Sequence, residues 1–420
     1  MNKKLIVIAI AGVLGAPQVV SAQGTGVTLF GRVQAEYQST KIDQATSASD
    51  HRQESISDNA GQSRWGLKIN EDLGNGLSAI AQIEFGFRTG NGNAENAREQ
   101  WVGLTSKSWG TAKFGRVQSP FKDFAGGGTL DLFGSTTLQA RGSGGAMYAP
   151  ANGFGAASHV DHGIRYDSPS FGGFSAAVLL VPVDATQTDP AFSTGTVATN
   201  GGNVGGRGGS NNYQIGLKYK FGSAGEIFGG YSQDDANDVQ AATTTNGRLG
   251  DDEQVWRIGG AWNFGDFRIA AQYEDIENAL PGNGGTTCSG GATATGNSDT
   301  GISTGQCNSS INANGEGDIW FVTAQYKLGK TTLVVQGGQT NADAVTNATT
   351  GVETAAEREA TNWTIGAIYN FSKRSRVYGG YQHVSVDGAR NVANTTATGT
   401  NILTIQPDRD TWTIGMRHDF

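Results

Sequence analysis

Apart from a short apolar run near its start, this chain of 420 residues has no stretch that approaches 18 consecutive apolar residues. A transmembrane helix needs about 20 such residues, so a helical membrane protein is excluded. The 2 cysteines have no histidine close to them, which makes a zinc site there a poor fit. The formal net charge of −8 argues against a nucleic-acid partner.

Proline, methionine and leucine are also scarce, whereas glycine reaches 64 residues and threonine, asparagine, valine and aromatic residues are plentiful. This composition suits twisted strands and long loops, and it leaves few strong helix formers. Length alone would favour two or three domains. A large barrel is the main exception, because added strands widen the barrel and do not require a second core.

Residues 1–22 have the features of a secretory signal peptide. Lys3 and Lys4 supply the positive start, an apolar stretch follows, and Val20-Ser21-Ala22 resembles a cleavage site. The alternative is a membrane anchor, but the apolar stretch is too short to span a bilayer. The expected product, residues 23–420, is exported and is either soluble or embedded as a barrel.

Alternation of side chains indicates a β-barrel. In residues 27–37 the odd positions are apolar or small, whereas the even positions include Thr28, Arg32, Gln34 and Glu36. Residues 64–70 and 77–88 repeat this pattern. Successive side chains of a strand point to opposite faces, so one face is apolar and the other is polar.

An internal repeat strengthens this prediction. Five segments share the pattern aromatic-x-Ile/Val-x-x-x-aromatic/His-x-Phe/Leu, namely 213–221, 256–264, 320–328, 363–371 and 412–420. The marked positions lie on one face, and their ends are about 26 Å apart along a strand. In a tilted strand this gives roughly 20 Å of height, close to the apolar band and aromatic girdles of an outer-membrane barrel. A soluble sandwich would alternate too, but would not need both girdles.

Short and long connections alternate along the chain. Short turns are predicted at 71–75, 107–109, 170–173, 222–225, 265–266, 329–330 and 372–374. Long polar segments are predicted at about 39–60, 90–96, 118–160, 185–210, 234–251, 277–315, 341–358 and 387–408. This alternation predicts an all-β fold, a 16-stranded antiparallel transmembrane barrel with long external loops and both termini at the short-turn end.

Several motifs in this chain resemble those of the general Gram-negative trimeric porins of Neisseria-, Burkholderia- and Comamonas-like bacteria. They include SRWGLKINEDLGNGLSAIAQIEFGF at 63–87, AREQWVGL at 97–104, KFGRVQSP at 113–120, IRYDSPSFGGF at 164–174 and NFSKRSRVYGGY at 370–381. The resemblance implies an outer-membrane channel for passive diffusion of small hydrophilic solutes and ions, and a homotrimer. It also implies that the terminal Phe420 is the signal read by the barrel-assembly machinery.

The resemblance further implies that the third long loop, about 118–160, folds into the barrel and narrows the pore. Its acids Asp123 and Asp131 would face wall arginines at Arg64, Arg98 and Arg116, with Arg98 in an ambiguous strand phase. Such facing charges would orient dipolar solutes, and the basic wall predicts a weak preference for anions. The alternative is that these arginines only balance neighbouring acids. Further basic residues with the inward phase include Arg32, Lys68, Lys218, Arg257 and Arg268.

Two histidines occupy a stretch where relatives usually carry an arginine and an asparagine. His159 and His162 directly follow the third loop, and a histidine titrates near pH 6.5, so they are expected to add positive charge in mild acid. Alternatively, both are ordinary solvated loop residues. A metal site is a third reading, but no further ligand is evident and no metal or cofactor is expected.

Cys288 and Cys307 fall in one predicted external loop, so an exported chain favours a disulfide between them. Two other functions compete with the interpretation as a porin. An outer-membrane enzyme would need a nucleophile and a base, and none of the 5 histidines sits in a nucleophile motif. A substrate-specific channel would need a ladder of basic or aromatic residues. Besides the homotrimer, the expected partners are outer-membrane lipid, lipopolysaccharide and the assembly machinery.

Overall fold

A computed structural model of the chain describes most of the predicted strands and part of the third long loop. The described residues are 26–43, 51–57, 63–90, 96–124, 127–140, 159–182, 212–234, 253–280, 315–343, 345–346, 353–355, 357–387, 392–396, 399–403 and 408–420. The predicted signal peptide and both cysteines lie outside them, so the expectations on these segments stay predictions.

Strands make up nearly all of the described chain. They are β1 (Gly26–Asp43), β2 (His51–Ser57), β3 (Ser63–Gly74), β4 (Leu77–Phe87), β5 (Asn96–Ser106), β6 (Gly110–Gln118), β7 (His159–Asp167), β8 (Phe174–Val181), β9 (Asn212–Lys220), β10 (Gly225–Asp234), β11 (Glu253–Phe264), β12 (Phe267–Leu280), β13 (Gly315–Leu328), β14 (Thr331–Ala342), β15 (Val345–Thr346), β16 (Glu353–Ala355), β17 (Arg358–Asn370), β18 (Ser375–Asp387), β19 (Val392–Thr396), β20 (Gly399–Leu403) and β21 (Asp408–Asp419).

Within the described residues, 16 of these strands form a closed antiparallel barrel, as predicted. Each barrel strand pairs with the next one along the chain, and β1 closes the ring by pairing with β21 from Arg32↔Asp419 to Asp43↔Asp408. Strand β2 pairs with the part of β1 that lies toward the long loops, while β15–β16 and β19–β20 are small separate hairpins. The predicted polar connection at 39–60 is therefore partly wrong, because β1 continues to Asp43 and β2 pairs with it.

The inner and outer faces of the barrel differ as the alternation predicted. On β21, the outward Ile414 is 63% exposed, whereas its inward neighbour Thr413 is 5% exposed. Exposed apolar side chains on one face and buried polar side chains on the other are what a lipid-facing exterior and a polar interior require. Where the described loop residues fill the barrel, they pack on apolar inward side chains, as Phe133 and Leu138 do against Val334, Ile368 and Tyr378.

The repeated aromatic positions lie together on the outward face, which confirms the meaning of the repeat. Near the long-loop end, Tyr381 lies between Trp363 and Trp412, with ring centroids 5.2 and 4.7 Å away. Near the short-turn end, Phe221 and Trp262 are 5.5 Å apart. These two rows match the girdles that anchor a barrel at the membrane interfaces.

The tight turn after β3 lies slightly later than predicted. The prediction placed it at 71–75, but β3 runs to Gly74 and the turn is Asn75-Gly76, with φ of 53° and 75°. Two successive positive φ angles match the twist of a two-residue hairpin, and Asn-Gly is the pair that adopts them most readily. The turns predicted at 107–109, 265–266 and 329–330 are confirmed.

The C-terminal residue closes the barrel seam. The backbone N–H of Phe420 donates to Gly31 O at 3.0 Å, and Gly31 N donates to Phe420 O at 3.1 Å. A Cβ atom on Gly31 would collide with the Phe420 ring and with Arg64 O. Glycine at position 31 therefore lets the terminal aromatic ring lie against the wall, while recognition of Phe420 by the assembly machinery stays a prediction.

The helical elements in the described part of the chain are two four-residue turns, Pro120–Asp123 and Gly127–Leu130. No helix among the described residues is long and apolar enough to cross a membrane.

Candidate pore constriction

The third loop connects β6, which ends at Gln118, to β7, which begins at His159, as the sequence predicted. Ser119 starts it by capping the first helical turn, and Pro120 occupies the first helical position, where its missing N–H is not needed. The Ser119 hydroxyl donates to Gln214 Oε1 on β9 at 2.5 Å. The loop is therefore fixed to the inner wall from its first residue.

Arg257 on β11 holds the first helical turn. Its guanidinium donates to Phe121 O at 2.7 Å and lies over the Phe121 ring, 4.1 Å from the centroid. The same guanidinium pairs with Glu274 Oε2 at 2.6 Å, and both charged side chains are buried. The prediction that Arg257 faces inward is correct in phase, but the loop covers this residue, so it anchors the loop and does not line open space.

Asp131 closes the middle of the loop on itself. Its carboxylate accepts hydrogen bonds from Phe133 N at 3.1 Å, from Ala140 N at 2.8 Å and from Gln336 Nε2 on β14 at 3.1 Å. The expectation that Asp131 faces the arginine wall is therefore wrong. Backbone N–H groups of the loop need acceptors when buried, and this carboxylate supplies them.

Glu36 on β1 holds the far end of the described loop. It accepts from Thr137 N at 2.9 Å, from Thr137 Oγ1 at 2.7 Å and from Tyr378 OH at 3.1 Å. Nearby, Gln34 Nε2 donates to Ser135 O. Together these anchors tie the loop to a sector of wall that runs from β9 through β14 and β18 to β1.

A basic cluster lies outside that sector, on β3, β4 and β5. Arg64 Nε is 3.6 Å from Glu84 Oε1, and Arg98 Nε is 2.5 Å from the same oxygen. Glu84 is buried, and its carboxylate is the shared partner of both guanidinium groups. Glu99 and Arg417 also lie within electrostatic range of Arg64, so the wall that the loop anchors leave open carries a small excess of positive charge.

A β-bulge decides the direction of Arg98, which the sequence left ambiguous. The pairing of β4 with β5 shifts between Ile83↔Gln100 and Phe85↔Ala97, so β5 has one extra residue there. An extra residue reverses the side-chain phase on one side of the bulge. Arg98 consequently points to Glu84 inside the barrel. Without the bulge, regular alternation from Trp101 would place the Arg98 side chain on the outer face.

Arg116 pairs with Asp161 and not with Glu84. Its Nη1 is 2.5 Å from Asp161 Oδ1, and its side chain is 14% exposed. The pairing of β6 with β7 shifts here, from Gly115↔Gly163 to Val117↔Val160, so Arg116 and Asp161 belong to a second bulge. Because His159 lies within electrostatic range of Arg64, Arg98 and Arg116, the expected wall of three arginines stays a prediction.

The two histidines are also separated by this bulge. His159 is 6% exposed at the start of β7, whereas His162 is exposed, has a φ of 55° and shares the phase of the outward Ile164 and Tyr166. The expectation of a constriction residue is therefore wrong for His162, whereas His159 is buried within electrostatic range of Arg64, Arg98 and Arg116. Conduction that depends on pH through these imidazoles stays a prediction.

Asp123 faces a basic residue that sequence reasoning missed. Its Oδ2 accepts from Arg165 Nη1 at 2.9 Å, and Arg165 also pairs with Asp167 at 2.7 Å. Arg165 lies in the segment IRYD at 164–167, where alternation with Ile164 and Tyr166 could have indicated an inward phase. Glu84 was likewise predicted to face inward without being recognised as the partner of Arg64.

The remaining predicted lumen residues face inward on β1 and β3. Arg32 Nε pairs with Asp419 Oδ1 at 3.0 Å, and Lys68 Nζ lies 4.7 Å from the centre of the Phe30 ring. Arg32 lies level with the Arg64–Glu84–Arg98 cluster, because it is the cross-strand partner of Arg64. Lys68 lies further along β3, closer to the short turn.

Comparison with known proteins agrees with this architecture. The family model for Gram-negative porins matches residues 6–389 of the chain. The chain belongs to the Gram-negative porin family. An outer membrane porin protein of Bordetella pertussis is 33% identical to this porin over 199 residues, which cover 42% of the chain and 47% of that protein. The chain thus spans about half the length of the curated relatives it matches.

Solved structures show the same fold. An anion-selective porin from Comamonas acidovorans has a TM-score of 0.61 at 18% identity, covering 94% of this chain and 100% of its own. The trimer form of OmpT, an outer membrane protein of Vibrio cholerae, has a TM-score of 0.54 at 16% identity, with coverage of 94% and 99%. Family membership places this porin in the outer membrane.

Proposed function

We propose that this porin forms a water-filled channel for passive diffusion of small hydrophilic solutes and ions, with a weak preference for anions. The observation that carries this proposal is the unequal charge on the two sides of the opening. On the loop side, the carboxylate of Asp123 is offset by Arg165, while those of Asp131 and Glu36 are held by hydrogen bonds from backbone N–H groups and from Thr137 and Tyr378. On the open wall, Arg64 and Arg98 share one carboxylate.

An ion that crosses between the loop and this wall passes guanidinium groups that are only partly compensated. Fixed charge of one sign along a narrow path favours ions of the opposite sign, and low-dielectric walls strengthen the field there. The cluster therefore favours anions over cations, but Glu84 and Glu99 offset much of its charge, so the preference is modest. A transverse field also orients dipolar solutes, and it disfavours apolar ones because they gain nothing from it.

A substrate-specific channel is the second candidate, because basic residues such as Lys218 and Arg268 have the inward phase. Reconstitution in planar bilayers distinguishes the two functions. A general diffusion pore gives a single-channel conductance that rises linearly with solute concentration, which is the expected result. Conductance that saturates as the concentration of one solute rises would contradict the general pore and favour a specific binding site.

We also propose that the porin is a homotrimer. The outward face of β1 and its neighbour β21 carries exposed apolar side chains between the girdles, including Leu29, Val33, Ile414 and Met416. A trimer would cover this face with the same face of its neighbours. Chemical cross-linking in mild detergent is expected to give trimers, and a product that stays monomeric at every cross-linker concentration would contradict the assembly. Lipid, lipopolysaccharide and assembly-machinery contacts remain predictions from the family resemblance.

A further inference from the structure

A set of basic side chains lines the inside of the barrel next to the short turns. Lys218 and Lys220 lie on β9, Arg268 on β12, Lys327 on β13 and Arg376 on β18. We refer to these five residues as the periplasmic vestibule, because bacterial barrels have their short turns on the periplasmic side. Each is within about four residues of a turn, or roughly 13 Å along the strand.

Alternation with outward residues establishes that these side chains face inward. Tyr219 separates the two lysines of β9 and is exposed on the outer face, and Phe267 and Ile269 flank Arg268 in the same way. Tyr326 and Leu328 flank Lys327 and are likewise exposed. For Lys218 a contact gives independent support, since its Nζ lies 5.2 Å from the centre of the Phe124 ring in the third loop.

Two acids at this end of the lumen are each matched by more than one basic group. Asp419 pairs with Arg32 and Arg417, and Asp167 pairs with Lys113 and Arg165. Both carboxylates are therefore surrounded by excess positive charge, although Asp419 also acts on Arg376.

Glu226 and Asp123 act on Lys218 from a distance, and direct ion pairs of the vestibule residues are scarce. Among the described residues, no ion pair within 4.0 Å joins Lys218, Arg268, Lys327 or Arg376 to a carboxylate. Glu226 is the cross-strand partner of Lys220, and it also accepts from Thr129 Oγ1 of the loop. Arg376 lies opposite Arg417, and its Nε is buried without a hydrogen-bond partner in the described structure. This end of the pore is therefore positive on several strands at once.

We infer that the periplasmic vestibule is a second selectivity element, which concentrates small anions at the periplasmic mouth independently of the Arg64–Glu84–Arg98 cluster. The inference rests on the proposed channel function and deepens it. The vestibule charges are expected to act on passing ions across water and not by contact. Its effect must therefore depend strongly on salt, as the Debye length falls from about 10 Å at 0.1 M to about 3 Å at 1 M.

The test replaces four vestibule residues together, Lys218→Gln, Lys220→Gln, Arg268→Gln and Lys327→Gln. The matched control removes the same charge from the short turns outside the lumen, with Lys107→Gln, Lys330→Gln, Lys373→Gln and Arg374→Gln. Reversal potentials in a KCl gradient give the chloride-to-potassium permeability ratio of each protein. Circular dichroism and trimer mobility on gels establish that both variants are folded.

The vestibule variant is expected to lower the permeability ratio by about twofold or more at 0.1 M salt and by clearly less at 1 M, because of screening. The control should keep the wild-type ratio. An unchanged ratio in the vestibule variant at 0.1 M, or an equal shift in the control, would overturn the inference. If the wild type prefers cations, the proposed preference fails separately, and the vestibule variant should still move further toward cations.

Discussion

Replacing Arg64 and Arg98 by glutamine together is expected to convert the porin from anion preference to cation preference. The two guanidinium groups share Glu84, at 3.6 and 2.5 Å, and Glu99 also acts on Arg64, so the substitutions leave this part of the wall negative. Glutamine keeps similar side-chain length, so the width of the opening changes little. The reversal potential in a KCl gradient is expected to change sign.

Lys107→Gln together with Lys330→Gln is the matched control for this experiment. Both lysines lie in short turns, and their replacement removes the same charge without affecting the partners of Glu84. The reversal potential of this control should stay close to the wild-type value. If the control shifts the potential as much as the Arg64 and Arg98 substitutions do, the selectivity does not reside in the Arg64–Glu84–Arg98 cluster.

Arg257→Met is expected to produce the largest loss of stability among single substitutions of the wall residues that anchor the loop. It leaves Glu274 buried without its cation and Phe121 O without its donor. Removing one partner of a buried ion pair typically costs about 3–5 kcal/mol. The first turn of the loop should detach from β11, so the midpoint of thermal unfolding should fall and single-channel current should become noisier.

The double substitution Arg257→Met with Glu274→Leu provides the control. Replacing both charges of a buried pair with apolar side chains is often close to neutral. The double variant should therefore recover most of the lost thermal stability, while loop noise decreases less because the bond to Phe121 O is still missing. Equal destabilisation in both variants would show that the charge left on Glu274 is not the cause.

The barrel could be predicted from the sequence because its information is periodic. Side chains such as those of Trp363 and Ile365 repeat at even spacing, and the face they define is the lipid-facing one. Turn positions are harder to predict from local polarity. The Asn75-Gly76 pair follows a polar stretch, Glu71-Asp72, that belongs to the strand. Local polarity indicated a turn there, but the two positive φ angles needed for a hairpin select the next residues.

The constriction could be predicted only in part, because bulges and loop contacts are not periodic. A single extra residue in β5 turns Arg98 inward, and another in β7 separates His159 from His162. Asp131 and Arg257 have charges that suggest a pore lining, but the backbone of the loop requires acceptors and donors that these residues supply. Such demands arise only when a distant loop reaches the wall, so no local pattern reveals them.

The most direct test of the account is the reversal potential of the wild-type porin in a KCl gradient at low ionic strength. Excess positive charge at the Arg64–Glu84–Arg98 cluster and in the periplasmic vestibule predicts a potential with the sign set by chloride. The size of that potential should decrease as the salt concentration rises, because part of the field is screened. A potential with the sign set by potassium at every salt concentration would contradict the account.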